Sequence, residues 1–288
     1  MRRDPTMLYA LRIAALHSPI AGGRHHSLRT RASQRGATLF VVIVFVMLSM
    51  LLALWASRTA LFNELVVGND ADYQRAFEAA QALMQDAELD IRGEKSDGSL
   101  CVGPPCRAYS GKADMVQFPG DTQEINPLIT QLEAEATRCK YGVCARRVGR
   151  QDFWNYLTEA TNIVPAADAS KGEVPLYAAT EGGIALTSTG VGARYGEFTG
   201  AIHTASAGAL NPILTEREAG RGGWYWIEIM RYSDAANSAH LIVNAQTSQL
   251  PLNLDVYVVY RITALAQGRK PGSTVVLQET YARQRLKD

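Results

Sequence analysis

Between Arg35 and Arg58 the chain carries no charge, and from Ala37 to Ala56 it runs through 20 residues with only Thr38 and Ser49 as polar interruptions. Wound as a helix at about 1.5 Å per residue, that run matches a hydrocarbon core roughly 30 Å thick. A secretory signal has an apolar region of only about 7–15 residues, so this one is too long. A buried helix of a soluble protein rarely goes so far without a charge. The segment therefore reads as a membrane span. Residues 1–36 hold seven Arg against one Asp, a balance of +6, and the remainder holds 22 basic against 27 acidic residues, a balance of −5. Basic residues stay on the cytoplasmic side, so residues 1–36 read as a cytoplasmic leader and the C-terminal body as periplasmic. The apolar neighbour accounts for that basic charge, and no nucleic-acid partner is expected.

Beyond Ala56 the helical pattern persists. Leu61, Leu65, Phe77, Ala80, Met84, Ala87 and Ile91 recur mostly at spacings of three and four, and no proline occurs from Ala37 to Ile91. Glu64, Asp72, Arg75, Glu78, Gln81, Gln85 and Glu88 fall on the other faces. One continuous helix of about 80 Å is predicted. Gly68-Asn69-Asp70 is its weak point and the expected place for a kink. Arg92-Gly93 should end it, with Gly93 as a left-handed cap.

The C-terminal third reads as sheet. Trp224 to Tyr232 is dense in aromatic and β-branched residues. Asp255 to Ala264 alternates, with Val256, Val258, Tyr260 and Ile262 on one face, and Thr274 to Arg283 follows after a loop at Gln267–Gly272. Three antiparallel strands with one wet face are expected, the amphipathic half of the long helix covering the other face. Residues 92–223 are rich in Gly, Ser, Pro and Ala, with weak periodicity. Two short helices are expected there, at Glu124–Arg138 (Ile125, Leu128, Leu132, Ala136) and at Gln151–Ala160 (Phe153, Trp154, Leu157). Turns and short strands should fill Gly172–Gly208.

Cys101-Val-Gly-Pro-Pro-Cys106 and Cys139-Lys-Tyr-Gly-Val-Cys144 are two C-x4-C pairs. In an oxidising periplasm, disulfides are the expected use of these four Cys, and a zinc site is the alternative. Three pairings are open; the local one, 101–106 with 139–144, is preferred because Gly-Pro-Pro and Tyr-Gly are turn sequences. Gly190-Val-Gly-Ala-Arg-Tyr-Gly196 is loosely a phosphate loop but lacks the dinucleotide spacing, so a glycine-rich turn is the stronger reading. His203 and His240 stand alone, and Ser188 and Ser206 lack a nucleophile-elbow context. Trp224 and Trp226 suit strand packing better than stacking on a sugar. Neither an enzyme nor a cofactor is expected.

A helix apolar all round in its first half and amphipathic in its second has the layout of type IV pilins. The chain resembles the PilX-type minor pilins on Gln34-Arg-Gly-Ala-Thr-Leu39, Val67-Gly-Asn69, Ala76-Phe-Glu-Ala-Ala80 with Asp86-Ala-Glu88, and near the C-terminus on Tyr260-Arg-Ile-Thr-Ala264 and Val276–Arg283. The match covers roughly residues 34–91 and 224–288. It implies an α+β, type IV pilin-like fold: a long N-terminal helix packed on a C-terminal antiparallel β-sheet with a loop-rich insert. It further implies cleavage by a prepilin peptidase between Gly36 and Ala37, and N-methylation of Ala37. Major pilins carry Glu as the fifth mature residue, and this chain has Val41 there. That departure implies a subunit at or near the filament tip, with no subunit ahead of it to pair.

The expected organisation is therefore a cleaved leader (1–36), a transmembrane half-helix (37–56), an amphipathic half-helix (57–92), a disulfide-stapled insert (93–223) and the sheet of the head (224–288). The expected setting is the bacterial inner membrane, then the pilus on the cell surface. Other minor pilins and the major pilin are the expected partners, met through the helix, and the head has an unidentified surface receptor if it adheres. A minor pseudopilin of type II secretion and a signal-anchored periplasmic binding protein are the alternatives.

Overall fold

The computed structural model describes residues 37–155, 168–177, 185–201, 211–218, 220–232, 254 and 256–284. Gly36, Leu157, His203, Ser206, His240 and Asp255 lie outside the described residues. The chain divides into two units, one ending at Thr59 and one starting at Ala60.

A single helix, α1, spans Ala37–Arg92. It passes through Gly68-Asn69-Asp70 without a break. The reason lies in a distant loop: Lys270 Nζ donates to Asn69 Oδ1 at 3.1 Å, and Asp72 accepts the amides of Arg269 and Lys270 at 3.0 and 2.9 Å. Polar side chains that would compete for the helix backbone are thus occupied elsewhere. The helix ends as expected. Gly93 takes φ +67°, its N–H bonds Asp90 O at 3.2 Å, and Glu94 N–H reaches back to Leu89 O at 2.9 Å. This pair of bonds is a Schellman cap, open to a residue without Cβ strain.

Within the second unit, one sheet runs in the order β1 (Cys139–Lys140), β2 (Val143–Ala145), β3 (Gly223–Arg231), β4 (Val258–Gln267), β5 (Thr274–Tyr281). All neighbours are antiparallel except β2 and β3, which are parallel. The fold is pilin-like α+β: a long helix whose later turns pack on a mostly antiparallel sheet. Alternation sorts the side chains. Tyr225, Ile227 and Ile229 of β3 and Tyr260, Ile262, Ala264 and Ala266 of β4 join Ala76, Ala79, Ala80, Leu83 and Ala87 of α1 in one core. Small residues on α1 let the helix approach closely. At Gly223 even a methyl would come within 2.5 Å of Leu83 Cδ1.

The expectation of three strands with one wet face is corrected here. The sheet has five strands, and its other face is covered too. Trp224, Trp226 and Leu265 pack there with Phe153, Val174, Leu176 and Leu186 from the preceding segment, forming a second core. The strand pattern hid this, because aromatic residues at alternate positions suit either a wet rim or a buried face. The helix expected at Glu124–Arg138 is α2, Ile125–Ala134, with Ile125, Leu128 and Leu132 inward; Ala136 lies past its end and is exposed. At Gln151–Ala160 the described part holds one 3-10 turn, Phe153–Asn155. Strand β4 starts and ends three residues later than the expected Asp255–Ala264.

Candidate functional site

Two features carry the functional argument: the bare first half of α1, and the seat that holds its second half. In the first half, every residue from Ala37 to Thr59 is exposed, including Phe40 (69%), Val41 (48%) and Trp55 (70%). It is the one helix among the described residues that is long and apolar enough to cross a membrane. Two of its hydroxyls bond back to the helix itself: Ser49 Oγ donates to Val46 O at 2.8 Å and Thr59 Oγ1 to Trp55 O at 3.0 Å. Such a surface is stable in lipid or against other apolar helices, and not in water.

In the second half, three aspartates lie on the buried stripe of α1: Asp72, Asp86 and Asp90. Asp72 was expected on an outer face, and the structure corrects this. The β4–β5 loop folds over it, as described above. Burial works against its charge, but the Lys270 and Arg269 amides more than offset that and hold its pKa below the ordinary carboxylate range.

Asp90 is anchored by an arginine. Arg107 Nε donates to its Oδ1 at 2.8 Å and Arg107 Nη2 to its Oδ2, while Tyr225 Oη donates to Oδ2 at 3.0 Å. The Arg107 and Asp90 side chains are 5% and 0% exposed. The remaining Arg107 donors are used as well, by Val116 O at 3.1 Å and Tyr141 O at 2.9 Å, and its plane lies 4.0 Å from the Phe198 ring centroid. Burial alone would lower the Arg107 pKa; Asp90 outweighs it and raises the pKa above its ordinary value.

Asp86 differs, because no cation pairs with it among the described residues. Gly196 N–H donates to Oδ2 at 2.7 Å and Thr199 Oγ1 donates to Oδ1. Burial pushes its pKa up to about 7; the two donors pull the other way, and Asp90 and Glu197 add repulsion. The folded form then binds a proton that the unfolded form has released above pH about 4. This contribution to stability is full below the unfolded pKa and is lost as pH rises toward 7. Asp86→Asn can keep both bonds, with Oδ1 accepting from Gly196 and Nδ2 donating to Thr199. Urea melts at pH 5 and pH 8 should show a smaller fall in stability with pH for the variant than for the parent. An unchanged pH slope would mean Asp86 does not titrate in this range.

The two C-x4-C pairs close as disulfides, Cys101–Cys106 and Cys139–Cys144. The four Cys are thus spoken for, and they do not form a zinc set. Cys139 and Cys144 face each other across β1 and β2. Tyr141 and Gly142 between these strands have φ +51° and +81°, the signs of a type I′ turn. The other pair ties its loop to the end of α1, where Cys101 N–H donates to Gly93 O at 2.8 Å, and it places Arg107 one residue beyond Cys106.

On the sheet face away from α1, Glu228 is held by two arginines. Arg261 donates to both carboxylate oxygens at 2.8 Å, Arg147 N–H donates to Oε1 at 3.0 Å, and the Arg147 guanidinium lies 3.5 Å from Oε2. Burial raises the Glu228 pKa, and Arg147 and Arg261 more than reverse that, leaving it lowered. Trp224 and Trp226 are buried in this face as strand-packing residues; Trp226 Nε1 donates to Leu186 O at 3.1 Å. The Gly190–Gly196 segment is no phosphate loop between strand and helix. Ala193 exchanges backbone bonds with Tyr225 at 3.1 and 2.9 Å, so the segment pairs with β3. Ser188 Oγ accepts from the Ala185 amide in a turn.

None of the three aspartates, Arg107, Arg147 or Glu228 was read in the sequence as a buried anchor. The available signal was Asp86 and Asp90, four apart in a stripe otherwise made of Ala, Leu, Met and Ile. A carboxylate at such a position calls for a buried partner.

A bare apolar half-helix continuing into a helix seated on a sheet defines a pilin-like subunit. Residues 35–84 match the family described as PilX N-terminal, and residues 137–283 match the family described as type IV pilus assembly protein PilX C-term. The chain belongs to the PilX family of type IV pilus assembly proteins, a family of structural proteins. The C-terminal match begins earlier than the resemblance noted above and takes in β1 and β2. No curated protein and no solved structure matches the chain.

Proposed function

We propose that this protein is a minor pilin that primes type IV pilus assembly and sits at or near the filament tip. The observation that carries the proposal is the uncharged first half of α1, exposed on every side, with Val41 where major pilins have Glu. A carboxylate within a membrane span costs up to about 3 kcal/mol, so it is kept where a partner awaits it. A subunit at the tip has no subunit ahead to provide that partner, and Val41 then costs nothing. In this reading the peptidase cuts between Gly36 and Ala37, Ala37 is N-methylated, and residues 37–56 hold the protein in the inner membrane until assembly. The amphipathic half (57–92) meets other minor pilins and the major pilin. The insert (93–223) and sheet (224–288) form the head, which is free to present a surface.

The test is the N-terminus of the protein from its native membrane or filament, read by mass spectrometry. N-methyl-Ala37 is expected. Gly36→Leu should leave the leader attached and stop the subunit entering filaments. A start at Ser57 would mean a secreted head. An intact leader alongside active peptidase would mean a signal-anchored protein. Either result overturns the proposal. Correct processing with rescue of a type II secretion defect, and none of a pilus defect, would assign the subunit to that machine.

A further inference from the structure

A cleft of about 620 Å³ opens in the head beside the Gly190–Gly196 segment. Two arginines line it, Arg194 and Arg217. Among the described residues neither makes an ion pair. Arg194 Nη1 donates to Arg221 O at 2.6 Å and Glu216 O at 3.4 Å. Arg217 donates to Leu214 O, Glu216 O and Tyr195 O at 2.8, 2.9 and 3.1 Å. The nearby carboxylates are committed elsewhere. Glu197 accepts the Arg194 amide and lies 3.7 Å from Lys112 Nζ, and Glu216 accepts the amides of Arg217 and Glu218. Burial, then mutual repulsion with Arg217, brings the Arg194 pKa down to about 10. Glu197, which also lines the cleft, and Glu216 offset part of this repulsion from a distance, and an anion held directly between the two guanidiniums would offset the rest.

Two further observations narrow the ligand. Trp224 lines the same cleft under Arg194, whose guanidinium lies 4.0 Å from the ring centroid, and the buried Trp224 Nε1 has no acceptor. An orphaned buried donor is a cost to the fold, and a ligand oxygen would relieve it once Arg194 moves off the ring to meet the ligand. The rest of the wall includes hydroxyls, from Thr187, Ser188, Thr189, Thr215 and Tyr195. The volume is that of a site for a whole small molecule, well beyond a bare ion. We infer that this cleft binds an acidic saccharide: a hydroxylated ring whose carboxylate is held by Arg194 and Arg217. The planar guanidinium fork matches a carboxylate edge, and the wall hydroxyls match ring hydroxyls. This site goes beyond the assembly role and does not depend on it.

The test uses the full chain in detergent micelles, with the disulfides intact. The probes are tetragalacturonate and sialyllactose, against lactose, acetate and inorganic phosphate, by calorimetry and by NMR of the indole N–H groups. At least one acidic sugar should bind with Kd of about 1 mM or tighter, and at least about tenfold tighter than the other three. Its binding should shift the Trp224 indole resonance and leave that of Trp226, already bonded to Leu186 O, in place. Arg194→Gln and Arg217→Gln should each weaken binding about tenfold or more, a charged hydrogen bond being at stake. Should either variant fail to fold, the Trp224 resonance of the parent protein still decides. Equal binding of phosphate or acetate would mean a generic anion site. Equal binding of lactose, no saturable binding, or an unmoved Trp224 resonance would also overturn the inference.

Discussion

Asp90→Ala should destabilise the head by about 3–5 kcal/mol, the cost of leaving a buried charge without its partner. Arg107 would remain, 5% exposed, aimed at a cavity where two charged hydrogen bonds had been. Its contacts with Val116 O, Tyr141 O and the Phe198 ring satisfy donors but neutralise no charge. Tyr225 Oη would lose its acceptor at the same time. Arg107→Ala should cost a similar amount, by stranding Asp90. The double variant Asp90→Leu/Arg107→Met should be much less damaging than the sum, because it removes both charges and refills the space. Urea unfolding in micelles, followed by tryptophan fluorescence, measures all three. A loss below about 1 kcal/mol for either single variant would show that water reaches the pair, as it does for surface ion pairs. Because Asp90 lies on α1 and Arg107 follows the Cys101–Cys106 loop, this pair joins helix, loop and β3 at one point.

Glu228→Ala should cost a comparable 3–5 kcal/mol from the opposite face of the sheet. The Arg147 and Glu228 side chains are each 1% exposed. Arg147 is already poorly served, since its Nε and Nη1 have no hydrogen-bond partner. Without Glu228 it would keep the Phe153 ring, 4.0 Å away, and a weak contact to Cys139 Sγ. Arg261, left beside it, would add repulsion. Glu228→Gln should lose less, since its oxygen still accepts from Arg261 and from the Arg147 amide. The pH dependence separates this anchor from Asp86. The Glu228 pKa is lowered, so its contribution is present above the unfolded pKa of about 4 and lost as pH falls through the folded value. It is flat from pH 5 to 8, where the Asp86 contribution declines. If Glu228→Ala melts like the parent, the second core stands on its apolar residues alone.

The candidate site was partly legible. The bare half of α1 was read from composition, since twenty uncharged residues in a row have few places to go. The two local Cys pairs were favoured by the turn residues between them, and those turns put each pair in reach. The residues that seat the helix were not read. Asp72 sits among Asn69, Asp70 and Arg75 and looks solvated; its partners are the amides of Arg269 and Lys270, almost two hundred positions away. Arg107 lies in a stretch of Gly, Pro and Ser with no periodicity, so nothing local marks it as buried.

Helix and hairpin signals are local, which is why α1, its cap at Gly93 and the β4–β5 hairpin could be placed from the order of residues. A membrane span needs only length and the absence of charge, and a strand with one buried face needs only alternation. Pairing across long separations has no such signature. The parallel register of Val143 with Ile227, the cover that Phe153, Leu176 and Leu186 lay over the Trp face, and the choice of Asp90 for Arg107 arise when distant segments meet. A buried charge and a solvated one are the same letter in the chain. The energy that tells them apart comes from the partner and the dielectric around it, and both exist only once the head has folded.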